Sequence, residues 1–243
     1  MNNIHYFFRT VEGVNNFKTL GITHIILLYI IILGAFFIKK MKRENRAFEL
    51  LLGFTLIIQQ VTLYLWYFLG DYKFLSEGLP LFHCRIAIIL VSIGLIFKKN
   101  FMMKMGSYWG IAGSILALLF VNLDSFTFPH ITQFSYFIGH IFLFWGCVYI
   151  LNVKKLGMSK TDFYKAFIVT NLYHIIISKI NYLINSNYAY MKSSPIEIGI
   201  KLNPILYGFI VMMIFNLVLL IEFIILNKKK ECKAEECCEL ELI

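Results

Sequence analysis

Residues 21–43 read GITHIILLYIIILGAFFIKKMKR, a largely apolar run that ends in a cluster of basic residues. An α-helix needs roughly 20 apolar residues to cross the hydrocarbon core of a bilayer, and the apolar part of this stretch comes close to that length. Lys and Arg directly after such a run are typical of the cytoplasmic boundary of a membrane. The stretch therefore predicts a transmembrane helix that ends in the cytoplasm.

The same pattern recurs along the whole chain of 243 residues. Further apolar blocks lie at residues 48–70, 80–97, 101–123, 134–151, 163–183 and 204–226. The composition agrees, because 59% of the residues are hydrophobic and 15% are charged, whereas a soluble domain has about a quarter charged residues. The sequence thus predicts an all-α membrane protein, a seven-transmembrane-helix bundle at residues 21–226. Residues 1–20 are expected at the outer interface, and residues 227–243 as a charged cytoplasmic tail.

The distribution of basic residues predicts the orientation of this bundle. The formal net charge is +9, and most of the basic residues fall in alternate connections. The rich connections are residues 39–46, 98–104, 154–165 and 228–233, and the poor ones hold Arg9, Lys18, Lys73, Lys192 and Lys201. Because cytoplasmic loops carry the excess of Lys and Arg, the N-terminus is expected outside and the C-terminus in the cytoplasm of the plasma membrane. Topology accounts for the basic excess, so no nucleic-acid partner is expected.

Polar and ionisable side chains within the predicted helices are the candidates for function. Such groups are costly in a membrane and usually face the interior of the bundle or water. In this chain they concentrate in the outer half of the spans: His24, His83, Cys84, Arg85, His140, His174, Lys179 and Asn181. This asymmetry predicts a substrate-binding pocket that opens to the outer face, with Asn187 and Tyr188 of the last outer loop at its entrance.

Cys84 is the candidate nucleophile of this pocket. A thiol is nucleophilic as the thiolate and therefore needs a nearby base or positive charge. Adjacent residues on a helix point about 100° apart, so His83 is a poor base for Cys84. A histidine of another helix at similar depth is better placed; His140 fits best, followed by His24 and His174. Arg85 and Lys179 are candidates for holding a phosphate or an oxyanion.

Other roles for the same side chains stay open. His24 or His174 alone fits an interhelical hydrogen bond, Asn181 fits helix packing, and the two cations fit snorkelling to headgroups. The histidines together suggest a metal site, but no ligand spacing such as HExxH supports one, and no metal or cofactor is predicted. A non-enzymatic lipid or small-molecule binding or transport protein with the same pocket is the alternative to an enzyme.

Four segments resemble a known family: LPLFHCRI at residues 79–86, GSILALLF at 113–120, FIGH at 137–140 and NYLINSNYAYMKSSP at 181–195. Together they are similar to the YwaF-type bacterial integral membrane proteins, which are distantly similar to the transmembrane protein 164 family. The resemblance implies a seven-helix bundle. Through the more distant family it implies a phospholipid acyltransferase that uses a cysteine and a histidine, which by position are Cys84 and His140. The prediction is a lipid acyltransferase or transacylase that acts on a membrane phospholipid.

Overall fold

The computed structural model describes residues 3–194 and 202–240, and the chain is helical through most of these ranges. The helices are α1 (Asn3–Phe7), α2 (Ile22–Lys40), α3 (Arg46–Leu69), α4 (His83–Phe97), α5 (Asn100–Leu119), α6 (Ile131–Asn152), α7 (Lys160–Leu183) and α8 (Pro204–Leu240). A π-helical turn at Phe74–Gly78 and a 3-10 turn at Tyr188–Tyr190 lie in the connections. The described part of the chain contains no strand, so the prediction of an all-helical fold is confirmed.

Each predicted apolar block corresponds to one of the long helices, α2 to α8. Four segments are long and apolar enough to cross a membrane: Ile22–Lys40, Arg46–Leu69, Ile131–Asn152 and Pro204–Leu226. Large apolar side chains also cover the outer surface; Ile22, Ile205 and Tyr182 are 80%, 84% and 85% exposed. An apolar surface of this extent fits a lipid environment and not water. The protein is therefore a helical membrane protein, while the count of seven spans and the orientation stay predictions.

The core lies between α3, α4, α5 and α6. Leu52 and Leu56 of α3, Val91 and Leu95 of α4, and Leu143 of α6 are completely buried. Apolar side chains gain little by leaving lipid for the core, so close packing has to stabilise the contacts between helices.

Glycines make this close packing possible at the contact of α4 with α5. A Cβ atom at Gly94 would lie 2.9 Å from the backbone nitrogen of Met103, and one at Gly106 would lie 2.9 Å from that of Val91. Both distances are too short for a side chain, so the two backbones approach each other only because glycine occupies these positions. Gly113 lies two turns after Gly106 on the same side of α5 and contacts the Cys84 side chain.

Ion pairs join several connections that are rich in basic residues. At one end of the bundle Lys154 pairs with Glu49 at 2.6 Å and with Glu44, and Lys104 pairs with Asp162 at 2.6 Å. These residues belong to the predicted cytoplasmic connections and to the adjoining helix ends.

The segment before α2 packs on the opposite end of the bundle. Lys73 pairs there with Glu12 at 2.8 Å. The carbonyl oxygen of Phe8 accepts a 2.9 Å hydrogen bond from Trp66 Nε1, and Arg9 donates to the carbonyl oxygen of Thr127. The N-terminal segment thus covers the predicted outer ends of α3 and α6.

The helix boundaries differ from the predicted blocks by a few residues in the bundle and by more at the end of α8. The fourth helix begins at His83 and not at residue 80, because the backbone at Phe82 is extended (φ −82°, ψ 144°). At the other end of the chain, α8 continues past residue 226 to Leu240. The backbone of residues 227–240 is therefore helical, and residues 241–243 lie outside the described ranges.

Candidate functional site

Cys84 lies in the first turn of α4, near the predicted outer end of the bundle. The first regular hydrogen bond of this helix runs from the Ile86 N–H to the Phe82 carbonyl at 3.0 Å, and no side chain caps the N-terminus. The backbone N–H groups of His83, Cys84 and Arg85 precede the first regular helical hydrogen bond and have no carbonyl partner one turn earlier in the helix. The unpaired N–H groups at a helix N-terminus carry partial positive charge and favour a nearby anion. Cys84 therefore lies at the positive end of the α4 dipole.

The Cys84 thiol is free and partly exposed, and several elements of the bundle surround it. A Cβ atom placed on Gly113 of α5 would lie 3.1 Å from Sγ. Tyr136 of α6, Tyr173 of α7 and Tyr190 of the last outer connection lie in the neighbourhood of Cys84. The thiol thus borders a region where α4, α5, α6 and α7 meet beneath an outer loop.

His140 of α6 is held in one tautomer by its own helix. Its Nδ1 lies 2.7 Å from the carbonyl oxygen of Tyr136, and its ring centroid lies 4.5 Å from that of Tyr136. A carbonyl oxygen only accepts hydrogen bonds, so Nδ1 carries the proton and Nε2 of the neutral ring keeps its lone pair. The residue as a whole is partly exposed, and Nε2 has no hydrogen-bond partner among the described residues. This is the tautomer that a general base requires.

Cys84 and His140 lie in the same region without touching. No hydrogen bond joins the two described side chains. A Cβ atom on Gly139, the residue before His140, would lie 3.2 Å from Cδ1 of Ile88, so α4 and α6 are in contact at this level. Ile88 lies four residues, or about one turn, after Cys84 in α4. The thiol is therefore displaced by about 6 Å along the helix axis from the level at which α4 contacts α6 beside His140. Tyr136 and Arg85 lie near both side chains.

His83 turns away from Cys84 and pairs with His174 of α7. The two Nε2 atoms are 2.9 Å apart, so one ring donates and the other accepts. Phe215 of α8 stacks on the His83 ring, with centroids 4.1 Å apart and an angle of 17° between the planes. His174 is completely buried, and its Nδ1 has no hydrogen-bond partner. These histidines thus link α4, α7 and α8, and His174 is not oriented towards Cys84 as its base.

Arg85 donates most of its hydrogen bonds to the connection that precedes α4. Its Nη1 donates to the carbonyl oxygens of Glu77 and of Leu79, the latter at 3.1 Å, and its Nη2 lies 3.3 Å from the hydroxyl of Tyr67. A guanidinium group has five N–H groups, so Nε and one N–H of Nη2 remain for a substrate. Arg85 therefore positions the loop before α4, and its charge lies near Cys84 and His140.

Three of the predicted site residues hold the last outer connection in place. Asn181 accepts 2.7 Å hydrogen bonds from Ser186 Oγ and from the N–H of Tyr188 and donates to the carbonyl of Tyr188 at 2.9 Å. Asn187 accepts from the N–H of Lys192 at 2.9 Å. Tyr188 is completely buried, and its hydroxyl donates to the carbonyl of Leu75 at 3.0 Å. Their bonds fix the loop, and Tyr188 is too buried to line an entrance.

His24 and Lys179 lie away from the thiol. His24 is almost completely buried; its Nε2 lies 2.7 Å from the carbonyl oxygen of Leu118, and its Nδ1 accepts from the N–H of Leu20 at 2.9 Å. It ties the start of α2 to the end of α5. Lys179 lies on the exposed face of α7, about 200° around the helix from the buried Asn181. Within the described ranges no group of three or more His, Cys, Asp and Glu side chains is arranged to hold a metal ion.

Comparison with known proteins identifies the family. A family model described as the TMEM164 family matches residues 13–227. The chain belongs to the TMEM164 family. The match includes Cys84 and His140 and extends from before α2 to beyond residue 226 of α8. It does not separate the YwaF-type bacterial proteins from the rest of the TMEM164 family, so that narrower resemblance stays a prediction. Neither the curated proteins nor the solved structures gave a significant match.

Two residues of this TMEM164-family chain that support the site were not selected from the sequence. Tyr136 supplies the carbonyl that sets the tautomer of His140, and its ring packs on the imidazole. Its position four residues before His140 is a usable signal, because side chains can bond to the carbonyl one helical turn earlier. Gly113 leaves the space that Sγ of Cys84 occupies. No pattern within one sequence indicates which helix a small residue faces.

Proposed function

We propose that this TMEM164-family protein is a seven-span phospholipid acyltransferase or transacylase of the plasma membrane, with Cys84 as nucleophile and His140 as general base. One observation carries the proposal: a partly exposed cysteine at an uncapped helix N-terminus lies in the same region as an imidazole whose Nε2 has no hydrogen-bond partner among the described residues. The activity that the family resemblance implies needs these two groups and no cofactor.

In the first step, Nε2 of His140 takes the thiol proton, and Sγ of Cys84 attacks the carbonyl carbon of a phospholipid ester. The C–O bond of the ester breaks, and the leaving oxygen takes the proton from His140. The acyl group is then a thioester on Cys84, and a lysophospholipid is released. The oxyanion that forms on the way lies within reach of the N–H groups in the first turn of α4, which supply the stabilisation that acyl transfer needs.

In the second step, Nε2 of His140 takes the proton of a hydroxyl group on a lysophospholipid acceptor. The hydroxyl oxygen attacks the thioester carbon, the C–S bond breaks, and Sγ regains the proton from His140. Arg85 holds the loop before α4 and offers its remaining N–H groups to the phosphate of the headgroup. Catalytic hydrogen bonds are often long before the substrate binds, so the free protein need not show a bond between Cys84 and His140.

A lipid carrier or receptor without catalytic activity is the second candidate. The observation that favours it is the separation of Cys84 from His140 by about one helical turn, which leaves no Cys–His hydrogen bond. The same partly exposed region would then hold a lipid without reaction. Binding of that kind does not depend on the sulfur atom.

Transfer of a labelled acyl group distinguishes these candidates. The purified protein is incubated with a labelled diacyl phospholipid and a lysophospholipid acceptor, and the lipid products are measured by mass spectrometry. We expect Cys84→Ser and His140→Gln to lose transfer and Cys147→Ala to retain it, because Cys147 is completely buried. Transfer that is unchanged in Cys84→Ser would exclude the covalent mechanism. A folded protein that binds lipid but transfers no acyl group with several headgroups would support the carrier.

A further inference from the structure

A cavity lies between α7 and α8, and neither Cys84 nor His140 lines it. It has a volume of about 340 Å³. Its walls are apolar stripes of the two helices, formed by Ile175 and Tyr182 on α7 and by Ile205, Phe209 and Met212 on α8. The stripe on α7 extends over about 10 Å, or two helical turns.

The outer end of this cavity is bounded by a loop that packs on a glycine of α8. Met191 and Lys192 of the last outer connection line the cavity. A Cβ atom on Gly208 of α8 would lie 2.8 Å from the carbonyl oxygen of Met191. The loop can therefore rest on α8 only because residue 208 is glycine, and this contact places Lys192 at the mouth of the cavity.

The inner end is bounded by polar groups that fix the distance between the helices. Asn171 and Asn216 exchange two amide hydrogen bonds, at 3.2 and 2.9 Å, and join α7 to α8. One turn outward from this pair lies His174, which lines the cavity and has a buried Nδ1 without a hydrogen-bond partner. The contact between α7 and α8 is therefore fixed by polar groups at the inner end of the cavity.

The cation at the mouth indicates the chemistry of the ligand. The ammonium group of Lys192 lies 3.0 Å from the neutral Oδ1 of Asn185, and within the described part of the chain it makes no ion pair. On the α7 side, Ser178 also lines the cavity and carries a hydroxyl group. Among the described residues, one cation lines this apolar cavity, which matches an acyl chain that ends in an anionic group. The volume lies at the small end of the range for ligand pockets, which favours one acyl chain over two.

We propose that the α7–α8 cavity binds a single-chain anionic lipid, with the chain between the two helices and the charged group at Lys192. The chemistry is shared by a free fatty acid and by a lysophospholipid with an anionic headgroup. This site is separate from the region of Cys84 and His140, and its occupancy does not depend on acyl transfer.

The test measures binding in the full-length Cys84→Ser protein, so that no transfer consumes the ligand. The protein is placed in nanodiscs of dioleoyl phosphatidylcholine, and the affinities for oleate, oleoyl lysophosphatidylglycerol and uncharged monooleoylglycerol are compared. We expect one or both of the anionic lipids to bind more tightly than monooleoylglycerol. The tighter of the two identifies the source, a fatty acid or a lysophospholipid, and equal binding of all three would overturn the proposal.

Two pairs of variants locate the site. Lys192→Gln is expected to weaken anion binding about fivefold, as the loss of one charge near the headgroups implies, while Lys18→Gln at another exposed outer position has no effect. Ser178→Trp fills the cavity and is expected to weaken binding at least tenfold, whereas Ile176→Trp faces lipid outside the cavity and does not. Ser178 is exposed, so this variant should fold, and circular dichroism checks the helix content. Equal effects within either pair would overturn the proposal.

Discussion

Replacing Gly113 by alanine tests whether Cys84 is the reactive group of this protein. The added Cβ atom would lie 3.1 Å from Sγ, whereas ordinary contacts of a Cβ atom begin at 3.4 Å. The sulfur or its helix must therefore move by at least about 0.3 Å, the difference between these distances. A misplacement of about 1 Å in an active site costs about 100-fold in rate. If the logarithm of the rate falls in proportion to the displacement, a shift of about 0.3 Å lowers the rate of acyl transfer about fourfold.

The assay combines acyl transfer with a measurement that does not need activity. The rate at which a maleimide alkylates Cys84, followed on the Cys84 peptide by mass spectrometry, should also fall in Gly113→Ala. Gly146→Ala is the matched control, because its Cβ atom would meet Cγ1 of Val91 at 3.0 Å, in the core and away from the thiol. Both variants add one methyl group to a helix at a similar distance from a neighbour.

The result that would refute the reasoning is specific. If Gly113→Ala and Gly146→Ala lower transfer equally while alkylation of Cys84 stays at the wild-type rate, the effect comes from general packing. The position of the thiol would then not limit the reaction. If Gly113→Ala alone slows both measurements by a few-fold, the contact between α5 and Cys84 supports the site.

Three further predictions concern stability. Asn216→Leu should lower the free energy of unfolding by about 1 kcal/mol, because hydrogen bonds between membrane helices are worth about that much. Unfolding in detergent measures this free energy. The loss should vanish when Asn216→Leu is made in a protein that already carries Asn171→Leu. Burial lowers the pKa of His130, in the connection before α6, to about 4. Since the unfolded chain binds this proton at a higher pH, stability should be full above about pH 6.5 and fall towards pH 4; a melting temperature that is flat over this range would contradict it. Glu12→Gln should leave the melting temperature nearly unchanged, because its ion pair with Lys73 is exposed; a large loss on thermal unfolding would show that the N-terminal segment depends on this pair.

The candidate site was only partly predictable from the sequence. Cys84 and His140 stood out as ionisable groups in apolar blocks, and the angle between neighbouring helical residues correctly predicted that His83 points away from Cys84. The partner of His83 was not predictable, since nothing in the chain indicates that α4 and α7 face each other there. Arg85 was expected to hold a phosphate, but three of its hydrogen bonds go to the loop before α4 and to Tyr67. Such contacts depend on how the connection folds back, which hydropathy does not describe.

The sequence by itself determined that this protein is a bundle of membrane helices, and where each helix lies along the chain. The physical reason is the solvent: in lipid every backbone N–H and C=O group must be paired within its own segment, so an apolar run of sufficient length becomes a helix. Only the tertiary structure decided which side chains meet. Lipid surrounds all apolar faces equally, so the rotation and the neighbours of each helix follow from small residues and polar contacts, such as Gly113 against Cys84 and Asn171 with Asn216. These contacts join residues far apart in the chain, and no local pattern records them.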